Sequence, residues 1–139
     1  MKKAIVIYQS KTGITRKFGE EIGKYLTGKS IEVKVLHVGD YTKEIMSGAE
    51  LILIGCWTAG FMLMFQHPDK VWKKFAAGLP HLDGKKTALF TTYKIATGSM
   101  FKCMRKHLQH TGSDFPAELR SRDGSLSDVH KQQLDGLLG

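Results

Sequence analysis

Cysteine is scarce in this chain. Cys56 and Cys103 are the only two in 139 residues, too few for a disulfide framework, so a reducing, cytoplasmic location is the default expectation. No apolar run approaches the roughly 20 residues that a helix needs to cross a bilayer, and the N-terminus shows no signal-peptide pattern. Acidic residues are also few, 13 against 21 lysines and arginines, for a formal net charge of +8. Such an excess can favour nucleic acid, an anionic membrane surface or an acidic protein, and does not choose among them. The basic residues do not alternate with aromatics as a base-stacking surface would, so nucleic-acid binding is not expected. Metal-ligand spacings are missing too. His107 and His110 read as part of a solvated basic face with Arg105 and Lys106. There is no internal repeat or linker, and residues 1–139 read as one domain.

What is present is organised around Ala4 to Thr15, AIVIYQSKTGIT. Five apolar residues predict a buried strand, and Phe18, Ile22, Tyr25 and Leu26 then recur at helical spacing. Between them lie Ser10, Lys11, Thr12, Gly13, Ile14 and Thr15. A strand feeding such a loop into a helix start gathers unpaired N–H groups and the positive end of a helix dipole, which suits a phosphate. Gly13 lets the backbone bend close to an anion. The plainer reading is an ordinary βα turn with Thr15 as the helix N-cap.

Strand and helix alternate through the rest. The first helix is expected to end near Gly28. Ile31, Val33 and Val35 alternate with Glu32 and Lys34, the pattern of an edge strand. A short helix is expected between Tyr41 and Met46, with Asp40 as its cap. Leu51 to Ile54 and Thr87 to Thr92 read as buried parallel strands. Val71, Phe75 and Leu79 predict the inward face of one helix, beginning near Pro68. Met100, Met104 and Leu108 predict that of another, from about Ser99 to His110. Phe115 to Ser121 should be the last strand, and Ser127 caps a final helix carrying Leu134, Leu137 and Leu138, with Leu126 as a hydrophobic staple. Five strands and about five helices predict an α/β doubly wound parallel sheet in the order 2-1-3-4-5, with helices on both faces. Ligands of such sheets bind beyond the C-terminal strand ends, where Gln9 to Thr15, Gly55 to Gln66 and Tyr93 to Gly98 should meet.

The chain resembles the short-chain flavodoxins and the wider flavodoxin-like family. Ser10-Lys11-Thr12-Gly13-Ile14-Thr15 fits that family's phosphate loop, [ST]-x-T-G-x-T. Gly55-Cys56-Trp57-Thr58-Ala59-Gly60 resembles the loop after the third strand, and Thr92-Tyr93 opens the loop after the fourth. The resemblance implies a bound FMN and an electron carrier between redox partner proteins. It places the phosphate on Ser10, Thr12, Gly13 and Thr15. The ring would lie between the second and third loops, with Trp57 and Tyr93 either stacking on it or merely packing. Backbone N–H groups around Lys94 to Thr97, in the loop that ends at Gly98, would face the ring's N1/O2 edge, and a peptide flip at Gly60 would aim a carbonyl at N5. Two alternatives share the fold: an FMN-dependent reductase of a quinone or other small acceptor, and a flavin-free module that binds a partner.

Departures from the family pattern concern charge and stacking. The three loops hold no Asp or Glu, and the third contains Lys94, which predicts a less negative potential for the fully reduced couple than is usual in the family. Trp57 stands where a small hydroxyl residue is common, and Ala59 where an aromatic often stacks. Phe61-Met62-Leu63-Met64-Phe65 is an unusual apolar run beside the site. It reads as a docking patch for an acidic redox partner, as a peripheral membrane contact, or as part of the next helix packed in the core. Cys56 reads as a small buried hydrophobe.

Overall fold

The structure, a computed structural model, describes residues 3–61 and 64–139, with backbone only at 60, 61, 64 and 65. Strands β1 (Lys3–Gln9), β2 (Glu32–His37) and β3 (Leu51–Trp57) are followed by a small hairpin, β4 (Ala59–Phe61) and β5 (Met64–His67). Strands β6 (Lys86–Thr92) and β7 (Ala117–Ser121) complete the set. Five of them form one parallel sheet in the order β2-β1-β3-β6-β7, the expected 2-1-3-4-5 arrangement of sheet strands. Helices α1 (Ile14–Thr27), α2 (Lys70–Ala77), α3 (Met100–Lys106) and α4 (Asp128–Leu138) are the crossovers and the closing element. Among the described residues, no helix is long and apolar enough to cross a membrane.

The period-2 alternation of the central strands divides the core between the two faces. Ala4 and Val6 of β1, Leu51 and Leu53 of β3, and Ala88 and Phe90 of β6 pack with Phe18, Ile22 and Leu26 of α1 and with Leu134 of α4. Ile5, Ile7, Ile52, Ile54 and Leu89 face the other way, against Trp72 and Ala76 of α2 and Met100, Met104 and Leu108 in and after α3. Edge strand β2 is buried on one side only, as its alternation predicts. Gly55 pairs with Phe90 across β3 and β6, and a Cβ at Gly55 would overlap the Phe90 ring. That ring also meets Phe18 edge-on at 5.8 Å, so the glycine makes room for an aromatic bridge between sheet and α1.

Several local expectations are corrected. The helix expected from Tyr41 to Met46 is two 3-10 turns, Val38–Asp40 and Lys43–Met46, and Asp40 lies inside the first instead of capping the second. Four α-helices form among the described residues, not five, because the 41–46 segment is 3-10, and α3, expected to reach about His110, stops at Lys106 and continues only as a 3-10 turn at Gln109–Thr111. The inward face of α2 is Trp72 and Ala76, continued by Leu79 just after the helix, and Val71 is 52% exposed with Phe75 at the border. The larger Trp72 ring takes the sheet-facing position, which rotates the stripe by one residue. The start of α4 agrees fully: Ser127 and His130 form a reciprocal capping box. The apolar run after β3 is not the beginning of α2, since Phe61 ends β4, Met64 opens β5, and α2 starts only at Lys70. Met62 and Leu63, at the centre of the run read as a docking or membrane patch, lie outside the described residues.

Candidate functional site

Strands β1, β3 and β6 end side by side, with Gln9 opposite Cys56 and Trp57 opposite Thr92. Beyond their ends opens a cleft of about 290 Å³. Lys11, Thr12 and Ile14 form one wall. Trp57, Thr58, Ala59 and Gln66 form a second, and Thr92 through Ala96 a third, with Arg122 reaching in from the chain after β7. The volume lies at the lower end of the range for small-molecule sites.

The loop from Ser10 to Gly13 leads into α1 without a side-chain cap. Gly13 is the N-cap, with φ +94°, and among the described residues no side chain caps the first-turn N–H groups there. The Thr15 N-cap is therefore corrected: a left-handed glycine starts the helix two residues earlier than that reading allows, and Thr15 falls within the first turn. Gly13 donates its N–H to Ser10 Oγ at 3.0 Å, which closes the loop into a tight turn. Thr15 is buried, and its hydroxyl pairs with that of Thr92 at 2.6 Å. This bond ties the first turn of α1 to the end of β6 beneath the cleft.

Trp57 is held from outside the cleft. Its indole N–H donates to Asp69 Oδ2 at 2.7 Å. The same carboxylate accepts from the Gln9 amide at 2.9 Å, and its Oδ1 caps α2 by accepting from the Trp72 N–H at 2.8 Å. Gln9 Oε1 in turn lies 2.6 Å from His37 Nε2, while Gly39 N–H donates to His37 Nδ1. With Nδ1 accepting, Nε2 carries the proton and donates to Gln9, so the donors run in one direction from His37 to Asp69. Lys11 places its ammonium 4.9 Å from the centre of the Trp57 ring.

The remaining wall is built on backbone. Thr58 donates its N–H to Thr92 O at 2.8 Å. Thr91 donates its hydroxyl to Cys56 O at 2.6 Å, which leaves the Thr58 hydroxyl as donor in the 2.8 Å contact between the two threonines. Tyr93 is half-buried on the cleft wall and donates its N–H to Ser121 O. Arg122 donates to Lys94 O at 2.8 Å and so fastens the loop after β6 to the chain after β7.

Of the residues singled out in the sequence, Lys11, Thr12, Ile14, Trp57, Thr58, Ala59, Thr92, Tyr93 and Lys94 line the cleft. Ser10, Gly13 and Thr15 shape its floor and entrance by the bonds above. Gly60 lies in β4, next to the lining residue Ala59. Gly98 (φ +48°) packs against the Gln66 side chain at the edge of the site rather than within it. Cys56 is fully buried, and burial pushes its thiol well above the ordinary range, so it is inert packing.

Sequence reasoning missed Asp69 and Arg122. Both lie outside the three loops, and only the fold brings them in. Asp69 stands just before α2, where an acidic residue is an unremarkable N-cap signal. Arg122 follows a strand whose apolar alternation is weak.

The donor set fits an anionic, planar ligand. Lys11, Lys94 and Arg122 line the cleft, no carboxylate does, and none of the three cations has a salt bridge among the described residues. The uncapped N–H groups of α1 lie at the same end as Lys11 and Thr12. Trp57 and Tyr93 offer flat apolar surface with their polar ends engaged or wet.

No protein-family model matches the chain. Among curated proteins, a flavodoxin of Megasphaera elsdenii is 27% identical over 109 residues, 78% of this chain and 77% of that protein. Among solved structures, the two-electron reduced M. elsdenii flavodoxin superposes with a TM-score of 0.76 at 19% identity, covering 97% of this chain and 96% of that one. A flavodoxin from the domain Archaea gives a TM-score of 0.68 at 24% identity, over 97% and 92% of the two chains. At these identities the structural likeness establishes the fold.

Proposed function

We propose that this chain, a flavodoxin-like protein by sequence and by fold, holds FMN in the cleft between Trp57 and Tyr93 and carries electrons between partner proteins. The observation that carries the reading is the cleft itself. It joins an uncapped, glycine-started helix to two aromatic walls at the C-terminal edge of the sheet, and it presents three cations with no carboxylate.

In this reading Thr12 and the first-turn N–H groups of α1, which Gly13 leads in, hold the phosphate, with Lys11 beside them. Ser10 keeps its own hydroxyl proton to donate, since it accepts from Gly13. Thr15 and Thr92 act through each other as a joint beneath the ligand. The Trp57 ring is fixed by Asp69 and so is oriented before a ligand arrives, while the Tyr93 backbone is seated on the end of β7. FMN, when bound, supplies the electron chemistry. The chain's part is to orient the cofactor, shield one side from water and set the surrounding charge. The same positive cleft rim and the net charge of +8 favour acidic partner proteins. A cytoplasmic location goes with the low cysteine content.

The test is a visible absorption spectrum of freshly purified protein, followed by titration of the apoprotein with FMN. A flavin spectrum and sub-micromolar quenching of flavin fluorescence are expected. A colourless protein that leaves FMN fluorescence unchanged would refute the proposal.

A further inference from the structure

Three cations reach one cleft from three separate parts of the fold. Lys11 comes from the loop after β1, Lys94 from the loop after β6 and Arg122 from the chain after β7. All three are exposed, and among the described residues no carboxylate forms a salt bridge with any of them. Arg122 spends one donor on Lys94 O, which leaves its charge uncompensated and its position fixed. Like charges gathered around a partly enclosed cleft repel one another, and an anionic ligand relieves that repulsion.

Resting on the FMN reading above, we infer that Lys11, Lys94 and Arg122 make this cleft selective for the charge state of its ligand, so that two-electron-reduced FMN binds more tightly than oxidised FMN. The charge balance supports this. A phosphate monoester carries about two negative charges near neutral pH. Two electrons and one proton added to the neutral ring leave it with one more. The reduced ligand thus bears about three negative charges, against three cations. Oxidised FMN leaves one cation unmatched. Arg122 is the new member of the site, because it both secures the wall that carries Lys94 and adds charge to it.

The experiment compares the affinities of the two ligand states at pH 8. Oxidised FMN is titrated by fluorescence quenching. The affinity of the reduced state follows from the two-electron midpoint of the bound flavin relative to free FMN, in a titration with dithionite. A tenfold ratio of dissociation constants is a midpoint shift of about 30 mV for this couple. Wild type should show a bound midpoint above that of free FMN. Arg122→Gln, Lys94→Gln and Lys11→Gln should each reduce the ratio about threefold, about 14 mV apiece, the size expected for unit charges at an exposed cleft mouth. The triple variant should lose about 40 mV if the effects add, and 1 M salt should flatten the wild-type value towards that of the triple variant. Arg122→Lys should retain the ratio. Three results would overturn the inference: a wild type that binds FMN but holds the oxidised form more tightly, a triple variant with an unchanged ratio, or an Arg122→Lys that falls as far as Arg122→Gln. A wild type with no FMN affinity would refute the functional reading as well, which separates the two failures.

Discussion

Asp69 is the residue whose replacement should report most sharply on how the cleft is built. It is half-buried and accepts three hydrogen bonds, from the Trp72 N–H, the Trp57 indole and the Gln9 amide. Loss of a helix N-cap costs about 1 kcal/mol. A hydrogen bond to a charged acceptor is worth about 1.5–3 kcal/mol when well buried, and about 1 kcal/mol each is a fair discount for this half-exposed pair. Asp69→Ala should therefore destabilise the fold by about 3 kcal/mol. Asp69→Asn keeps the cap, because asparagine is as good an N-cap as aspartate. Its amide nitrogen, however, then replaces the oxygen that accepts from both Trp57 and Gln9, and both of those are donors. Turning the Gln9 amide only moves the conflict to His37, whose Nδ1 is already an acceptor for Gly39. About 1–2 kcal/mol should be lost in Asp69→Asn. At roughly 3–4 °C per kcal/mol for a chain of this size, the melting temperatures should fall by about 10 °C and 5 °C respectively. Thermal unfolding followed by circular dichroism measures both. The same pair of substitutions in a Trp57→Phe background should show a coupling energy of about 1 kcal/mol. An asparagine variant as stable as wild type, an alanine variant no worse than asparagine, or zero coupling to Trp57 would each refute the reasoning.

Gly55→Ala should lose about 1–3 kcal/mol, because its Cβ would overlap the Phe90 ring in the middle of the sheet, and Phe90→Leu in the same chain should recover part of the loss in urea unfolding. His107 should titrate below its ordinary value of 6.5, since partial burial and then Lys73 and Lys106 disfavour its charged form. The unfolded chain therefore binds the proton more readily. The stability involved is fully present above pH 6.5 and is lost as pH falls through the folded-state value. A histidine NMR titration checks the position, and Lys73→Gln should move it upward.

The order of the sheet and the place of the site were legible because central and edge strands leave different patterns. Continuous apolar runs marked β1, β3 and β6, and the alternation of residues 31–35 marked an edge. The first loop was legible because glycine and hydroxyls at a strand–helix junction have few other uses. What could not be read were relations that depend on reach. The inward face of α2 turned on Trp72, flanked by lysines and valine, where Val71, Phe75 and Leu79 satisfy the same periodicity. The hairpin after β3 was hidden because five consecutive apolar residues carry no period. Asp69 and Arg122 act across loops, and nothing in their immediate neighbourhood announces the partner each one meets.

The indole of Trp57 has one further consequence, which concerns timing. Its N–H is tied to the same carboxylate that caps α2, so this ring is set when the helix forms. Loading of the cleft then requires no reorganisation of that wall. The association rate of a flat ligand should be governed by diffusion and charge rather than by a slow conformational step. A second, ligand-independent kinetic phase should appear only once Asp69 is replaced.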